Sequence, residues 1–195
     1  PPVRTEFDGP LGPEWNYLRH PRRDSYAPDA RPGWLTLRGE AAGLGASSSP
    51  TWVGRRQQHL SARAATLVDF VPGRDGEEAG ISVYMNPDPR YEIGVGRAGG
   101  RRKVFVRQRI GPHLEAVTAS APLEGTAPVV LQVDATADEY AFSYGVAGGA
   151  AAPSAKTGVR SLKTMPGLGY SGMVAHRLLI SSSTGAVVSF RVIVV

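Results

Sequence analysis

Apolar residues recur at every second position through much of this chain, the spacing of strands that bury one face. Trp34 to Gly39 carries the pattern first, in a short predicted strand. Between Ala79 and Met85, Ile81, Val83 and Met85 share a face, with Ser82 and Tyr84 opposite. Tyr91, Ile93 and Val95 repeat the pattern until Gly99-Gly100 breaks it. Val104, Val106, Gln108 and Ile110 then oppose Phe105, Arg107 and Arg109. Val129 to Asp134 and Tyr140 to Tyr144 predict two more strands, joined by the acidic turn from Asp134 to Glu139. The second of them puts three aromatic rings on one face. Leu60 to Phe70, Met173 to Ser181 and Val187 to Val195 also read as strands, and Val159 to Met165 as a short strand or a helical turn.

Turn-forming runs punctuate these segments, notably Val71 to Gly76 and Asn86 to Pro89. Residues 1–33 read as irregular, anchored by Trp15, Tyr17 and Leu18 and denied a helix by Pro21, Pro28 and Pro32. Gly148 to Ala155 is a loop of low complexity. No repeat and no long amphipathic helix interrupts the pattern. About a dozen short strands at this spacing predict an all-β chain folded as a two-sheet antiparallel β-sandwich, a single domain over 1–195.

One stretch departs from simple alternation. From Pro50 to Phe70, two arginines, two glutamines and a histidine sit between Trp52 and Leu60. If the strand continued through them, Arg55, Gln57 and His59 would share one face and Arg56, Gln58 and Leu60 the other. Flat side chains with several fixed donors or acceptors suit the hydroxyls of a sugar. The competing reading is a polar strand whose planar groups satisfy backbone or carboxylate partners.

Composition narrows the classes. Gly 24 and Pro 16 favour strands and turns over long helices. The absence of cysteine excludes disulfides, thiolate metal sites and a cysteine nucleophile. No apolar stretch approaches the ~20 residues that span a bilayer, so no membrane partner is expected. The chain opens at Pro1-Pro2 without a signal peptide and reads as a mature or excised piece; location stays open, with an extracellular one favoured. The net charge of +5 rests on isolated clusters such as Arg22-Arg23, Arg55-Arg56 and Arg101-Arg102-Lys103. Interleaved acids and the lack of a recognition motif make these solvated surface rather than a nucleic-acid footprint.

At this point the residues resemble a known family. Phe7-Asp8-Gly9-Pro10 with Trp15 to Arg19, Arg31 to Leu37, Ser49 to His59, Asp75 to Gly80 and Tyr140 to Tyr144 match, in order, the C-terminal domain of family-43 glycoside hydrolases, in their β-xylosidase and α-arabinofuranosidase branch. The resemblance implies a concanavalin-A-like jelly roll, non-catalytic, preceded in the intact enzymes by a five-bladed catalytic propeller. Isolated versions are classed as carbohydrate-binding module family 91. It also implies that the loop from Gly167 to Gly172 reaches the propeller's active-site mouth, with Leu168 and Tyr170 walling the substrate pocket. The chain departs from the family at Ser189 to Val192, where alternating aspartates and aromatics are usual, and its stretch from Ala147 to Ala155 is shorter.

On this reading Arg55, Gln57 and His59 would contact xylan or xylo-oligosaccharide, and Trp15, Tyr84 and Tyr91 are candidate stacking platforms. The alternative for those rings is the sandwich core. A purely structural brace for the catalytic domain is a second function, and a laminarinase-like enzyme a third. The third lacks its Glu-x-Asp-x-x-Glu pattern here. Glu77 and Glu78 are adjacent and would face opposite sides of a strand, a poor acid–base pair. Asp134, Asp138 and Glu139 could hold a structural Ca²⁺, though their spacing matches no EF-hand. His20, His59, His113 and His176 have no metal-ligand spacing, so no cofactor is expected.

Overall fold

The computed structural model describes residues 3–147, 160–166, 177–182 and 187–194. In chain order the strands of its first half are β1 (Val3–Thr5), β2 (Asn16–Tyr17), β3 (Tyr26–Arg31), β4 (Trp34–Arg38), β5 (Thr51–Arg56), β6 (Ala62–Asp69), β7 (Glu78–Tyr84) and β8 (Arg90–Ala98). There follow β9 (Arg101–Ile110), β10 (Leu114–Pro122), β11 (Val129–Ala135), β12 (Glu139–Val146), β13 (Arg160–Pro166), β14 (Arg177–Ser182) and β15 (Val187–Val194). They form two sheets. The first runs β13-β12-β11-β6-β15-β4-β3, with β1 beside β15. The second runs β10-β9-β8-β7-β14-β5-β2. The pairings are antiparallel, and β14 and β15 insert between strands from the first half of the chain.

The expected sandwich is therefore present, and alternation explains its core. Leu35, Leu37, Val68, Val129, Leu131, Val133, Phe142, Val188 and Phe190 line the inner face of the first sheet. Val53, Ile81, Val83, Tyr91, Ile93, Val95, Val104 and Val106 line that of the second. Tyr140 and Phe142 turn inward and meet Tyr91 edge-on, each with ring centres 6.2 Å apart. Area removed from water on these two faces is the main stabilising term.

The N-terminal 33 residues are more regular than the prolines suggested. They contribute three short strands, and β3 tolerates Pro28 because it lies at a sheet edge. Strand β10 has no counterpart in the hydrophobic pattern. Its Ala-, Ser- and Pro-containing sequence has weak strand preference, and its long register with β9 holds it. Residues 160–166 resolve the earlier ambiguity as a strand.

Candidate functional site

The Arg/Gln stretch behaves as a strand only to Arg56. In its ladder with β14, Arg177 lies opposite Arg56. Beyond it the backbone bends, and Gln57 Nε2 donates to the His59 carbonyl at 2.7 Å. The expected three-residue strip on one strand face is thus corrected to Arg55 on the strand followed by a turn. Arg55 lies on the core side of the sheet, its guanidinium 5.5 Å above the Trp15 ring. Gln57 is half-buried, and its Oε1 accepts the Tyr140 hydroxyl at 3.4 Å. His59 is exposed. These groups cluster at the end of the sandwich where Tyr91 donates its hydroxyl to the Pro166 carbonyl at 2.9 Å.

The candidate platforms are placed differently. Trp15, Tyr84 and Tyr91 are 7%, 4% and 2% exposed. Trp15 packs on Phe7 in the main core, with ring centres 5.7 Å apart. Tyr84 packs against Trp52 and Leu44 on the outer face of the second sheet. Tyr91 points inward, and burial raises its pKa; burial and the neighbouring Tyr91 raise that of Tyr140. A stacking platform needs an open ring face, so burial takes that role from all three. Leu168 and Tyr170 lie outside the described residues.

The carboxylates of the predicted turns have partners. Glu77 accepts the backbone N–H groups of Gly73 and Arg74 at 2.6 and 3.3 Å. Asp134 is held by Arg63 and by Gln132, which takes it away from a calcium site with Asp138 and Glu139. Among the described residues no group of three His, Asp or Glu is arranged to hold a metal.

The structure adds a site that the sequence did not disclose. On the outer face of the second sheet lies a groove of about 270 Å³. Ala42 to Ala46 and Pro50 form one wall. Gly80, Gly94 and Phe105 lie side by side on three neighbouring strands as its floor. Arg90, Glu92, Arg107, Glu115 and Glu78 form the rest of the lining. A side chain at Gly94 would stand 2.8 Å from Phe105 Cζ, so the glycine is what lets that ring lie across the sheet.

The charged wall is one network. Arg90, 3% exposed, donates to Glu92 at 2.6 Å and to Glu115 at 2.9 Å, and also to the Pro87 carbonyl. Arg107 donates to Glu78 at 2.7 Å and to Glu92 at 3.2 Å, above the Phe105 ring. Arg109 donates to Glu115 at 2.9 Å and to Asp88 at 3.3 Å. Burial opposes the charge on Arg107, but its pairing with Glu78, Glu92 and Glu115 outweighs that and raises its pKa. For Glu115 burial likewise opposes ionisation, while Arg109, Arg90 and Arg107 prevail and hold its carboxyl below the usual range. Charge-assisted pairs of this kind fix side chains in place. The sequence signal for this site was weak: Arg107 and Arg109 alternate with Val106 and Gln108, the ordinary pattern of a solvent face.

Among the described residues the carboxylates that line the groove, Glu78, Glu92 and Glu115, are each paired with arginine. Residues 4–175 match the family model described as the beta xylosidase C-terminal concanavalin A-like domain, and the chain belongs to that family. It is 31% identical over 142 residues to a non-reducing end alpha-L-arabinofuranosidase of Bacteroides ovatus, and 33% identical over 150 residues to a putative beta-xylosidase of Escherichia coli K12. Each match covers 72% of this chain and 27% of the relative, so the chain spans about a quarter of the length of these relatives. The solved Bacteroides ovatus xyloglucan PUL GH43B superposes with a TM-score of 0.83 at 25% identity, covering 98% of this chain and 39% of that one. A yeast protein of unknown function superposes over 98% of both chains with a TM-score of 0.68 at 16% identity, a likeness of fold alone.

Proposed function

We propose that this chain is a non-catalytic accessory domain of a pentose-releasing glycoside hydrolase, one that meets xylan or xylo-oligosaccharide beside an N-terminal catalytic propeller. The observation that carries this reading is the pairing of each groove carboxylate with arginine. Glycoside hydrolysis by two carboxyls asks one of them to keep its proton near neutral pH, through a raised pKa. Glu115 is moved the other way. Membership of the C-terminal domain family and the greater length of the relatives support the same assignment.

Arg55, Gln57 and His59, at the end of the sandwich, are the residues assigned to oligosaccharide contact in this reading. Leu168 and Tyr170, outside the described residues, are assigned to the rim of the shared pocket. The chain alone should release no pentose from xylobiose or aryl xylosides, and should be retained on insoluble xylan. Gln57→Ala should weaken binding of xylo-oligosaccharides in calorimetry. Its hydrogen bond with Tyr140 is long, so stability should change by no more than about 1 kcal/mol. Release of pentose by the chain rejects the accessory assignment. Absence of retention leaves the domain a structural brace.

A further inference from the structure

We infer that the groove on the outer face of the second sheet is a second binding site, for a short stretch of a neutral polyhydroxylated chain. It lies on the face opposite Arg55, and it rests on the accessory reading only for the choice of xylan as the first ligand to try.

Of the lining residues, Arg90 and Arg107 meet Glu78, Glu92 and Glu115, and Arg109 beside them is shared between Glu115 and Asp88. The wall carries one net negative charge with each of its carboxylates paired to arginine, which disfavours an anionic ligand and offers no lone carboxylate to a cationic one. It nonetheless retains hydrogen-bonding capacity. A guanidinium has five N–H donors, and Arg107 engages Glu78 and Glu92 through one on each terminal nitrogen. Its Nε is 3.9 Å from Glu115, beyond a hydrogen bond. Each carboxylate oxygen pair has further lone pairs. A surface that offers donors and acceptors within a few ångströms of each other matches hydroxyls, which do both at once.

The groove has a wall of small residues at Ala42, Gly43, Gly45 and Ala46 and a floor flattened by Gly80 and Gly94. Its volume, about 270 Å³, falls just under the roughly 300–1,000 Å³ typical of small-molecule sites, so it takes a few sugar rings at most. The donors are also held before a ligand arrives. Arg90 is buried and pinned by two carboxylates and a carbonyl, so little side-chain freedom remains to be lost on binding.

The test blocks the groove from its exposed rim. A Cβ at Gly45 would point to the arginines, 3.4 Å from Arg90 Nη1 and 3.7 Å from Arg109 Nη1, so Gly45→Trp fills the groove without entering the core. The whole chain and its variants are titrated with xylohexaose, cellohexaose and mannohexaose, and their melting is recorded. The expected result for Gly45→Trp is a loss of affinity of at least about tenfold at one of two sites, the sandwich-end site being retained. Arg31→Ala, on the other sheet, should bind as the parent does. Should Gly45→Trp lower the melting point, Gly43→Phe, at a lining position with nothing within 4 Å of the new carbon, replaces it as the reporter, and a smaller loss of affinity is expected. Unchanged affinity in both groove variants overturns the inference. If Gln57→Ala then abolishes binding, the accessory reading stands and the glycan sits at the sandwich end. Binding of cello- or manno-oligosaccharide in preference to xylohexaose, lost in Gly45→Trp, keeps the groove and rejects xylan. A parent chain that binds none of the three rejects the groove, while hydrolysis of xylobiose separately scores the accessory assignment.

Discussion

The two faces of the second sheet are built from the same strands and answer to different physics. On the inner face Ile93 is flanked by Ile81 and Val106, and all three are buried hydrocarbon. On the outer face Gly94 is flanked by Gly80 and Phe105, and Glu92 by Ser82 and Arg107. The inner face gains stability by removing area from water, and its members are replaceable by others of similar volume. The outer face is equally sheltered at Arg90 and Phe105, but it is held by a closed charge network and by the absence of side chains at two glycines. Buried charges need partners, so a face held in this way specifies geometry more than it adds stability.

The comparison can be broken at three places. Ile93→Ala should cost the most, about 2–5 kcal/mol in denaturant unfolding, because it leaves a cavity between the sheets. A loss under about 1 kcal/mol would mean that the inner face is not close-packed. Gly94→Ala should come next, about 1–3 kcal/mol, since its Cβ would press on Phe105 Cζ at 2.8 Å and the Ala79 carbonyl at 3.1 Å. Gly43→Ala, with nothing within 4 Å of the new carbon, is the matched control and should melt as the parent does. Equal effects at the two glycines would remove the steric account of the groove floor.

The smallest effect is one of pH. Glu115 ionises more readily in the fold than free in solution, so it stabilises the native state above the ordinary glutamate pKa of about 4.3. That contribution fades as pH falls through its lowered folded value. Melting temperature followed from neutral pH downward should therefore drop on an acid limb, and Glu115→Gln should flatten it. An acid limb unchanged by the substitution would place the responsible carboxylates elsewhere.

Strand order along the chain was legible because alternation is local: Ile81 and Val83 declare their face without reference to any partner. The blocks from Phe7 to Tyr144 carried the family in the same way. Other features were not legible. For Tyr84 and Tyr91 the pattern left stacking platform and sandwich core both open; they face opposite sides of the sheet and both are covered, one by Leu44 and Trp52, the other by Tyr140 and Phe142. The strip of Arg55, Gln57 and His59 assumed a strand that stops at Arg56, beyond which Gln57 turns to donate to the His59 carbonyl.

What the amino-acid sequence determined unaided was the sandwich, because a period of two obliges each strand to hide one side. Only the tertiary structure decided what became of the other side. There a loop of small residues from Ala42 to Ala46 covers part of a sheet, and arginines and glutamates from β7, β8, β9 and β10 close into one network. Charges so far apart along the chain become neighbours only when the strands pair, and nothing in the local pattern distinguishes them from residues facing open water.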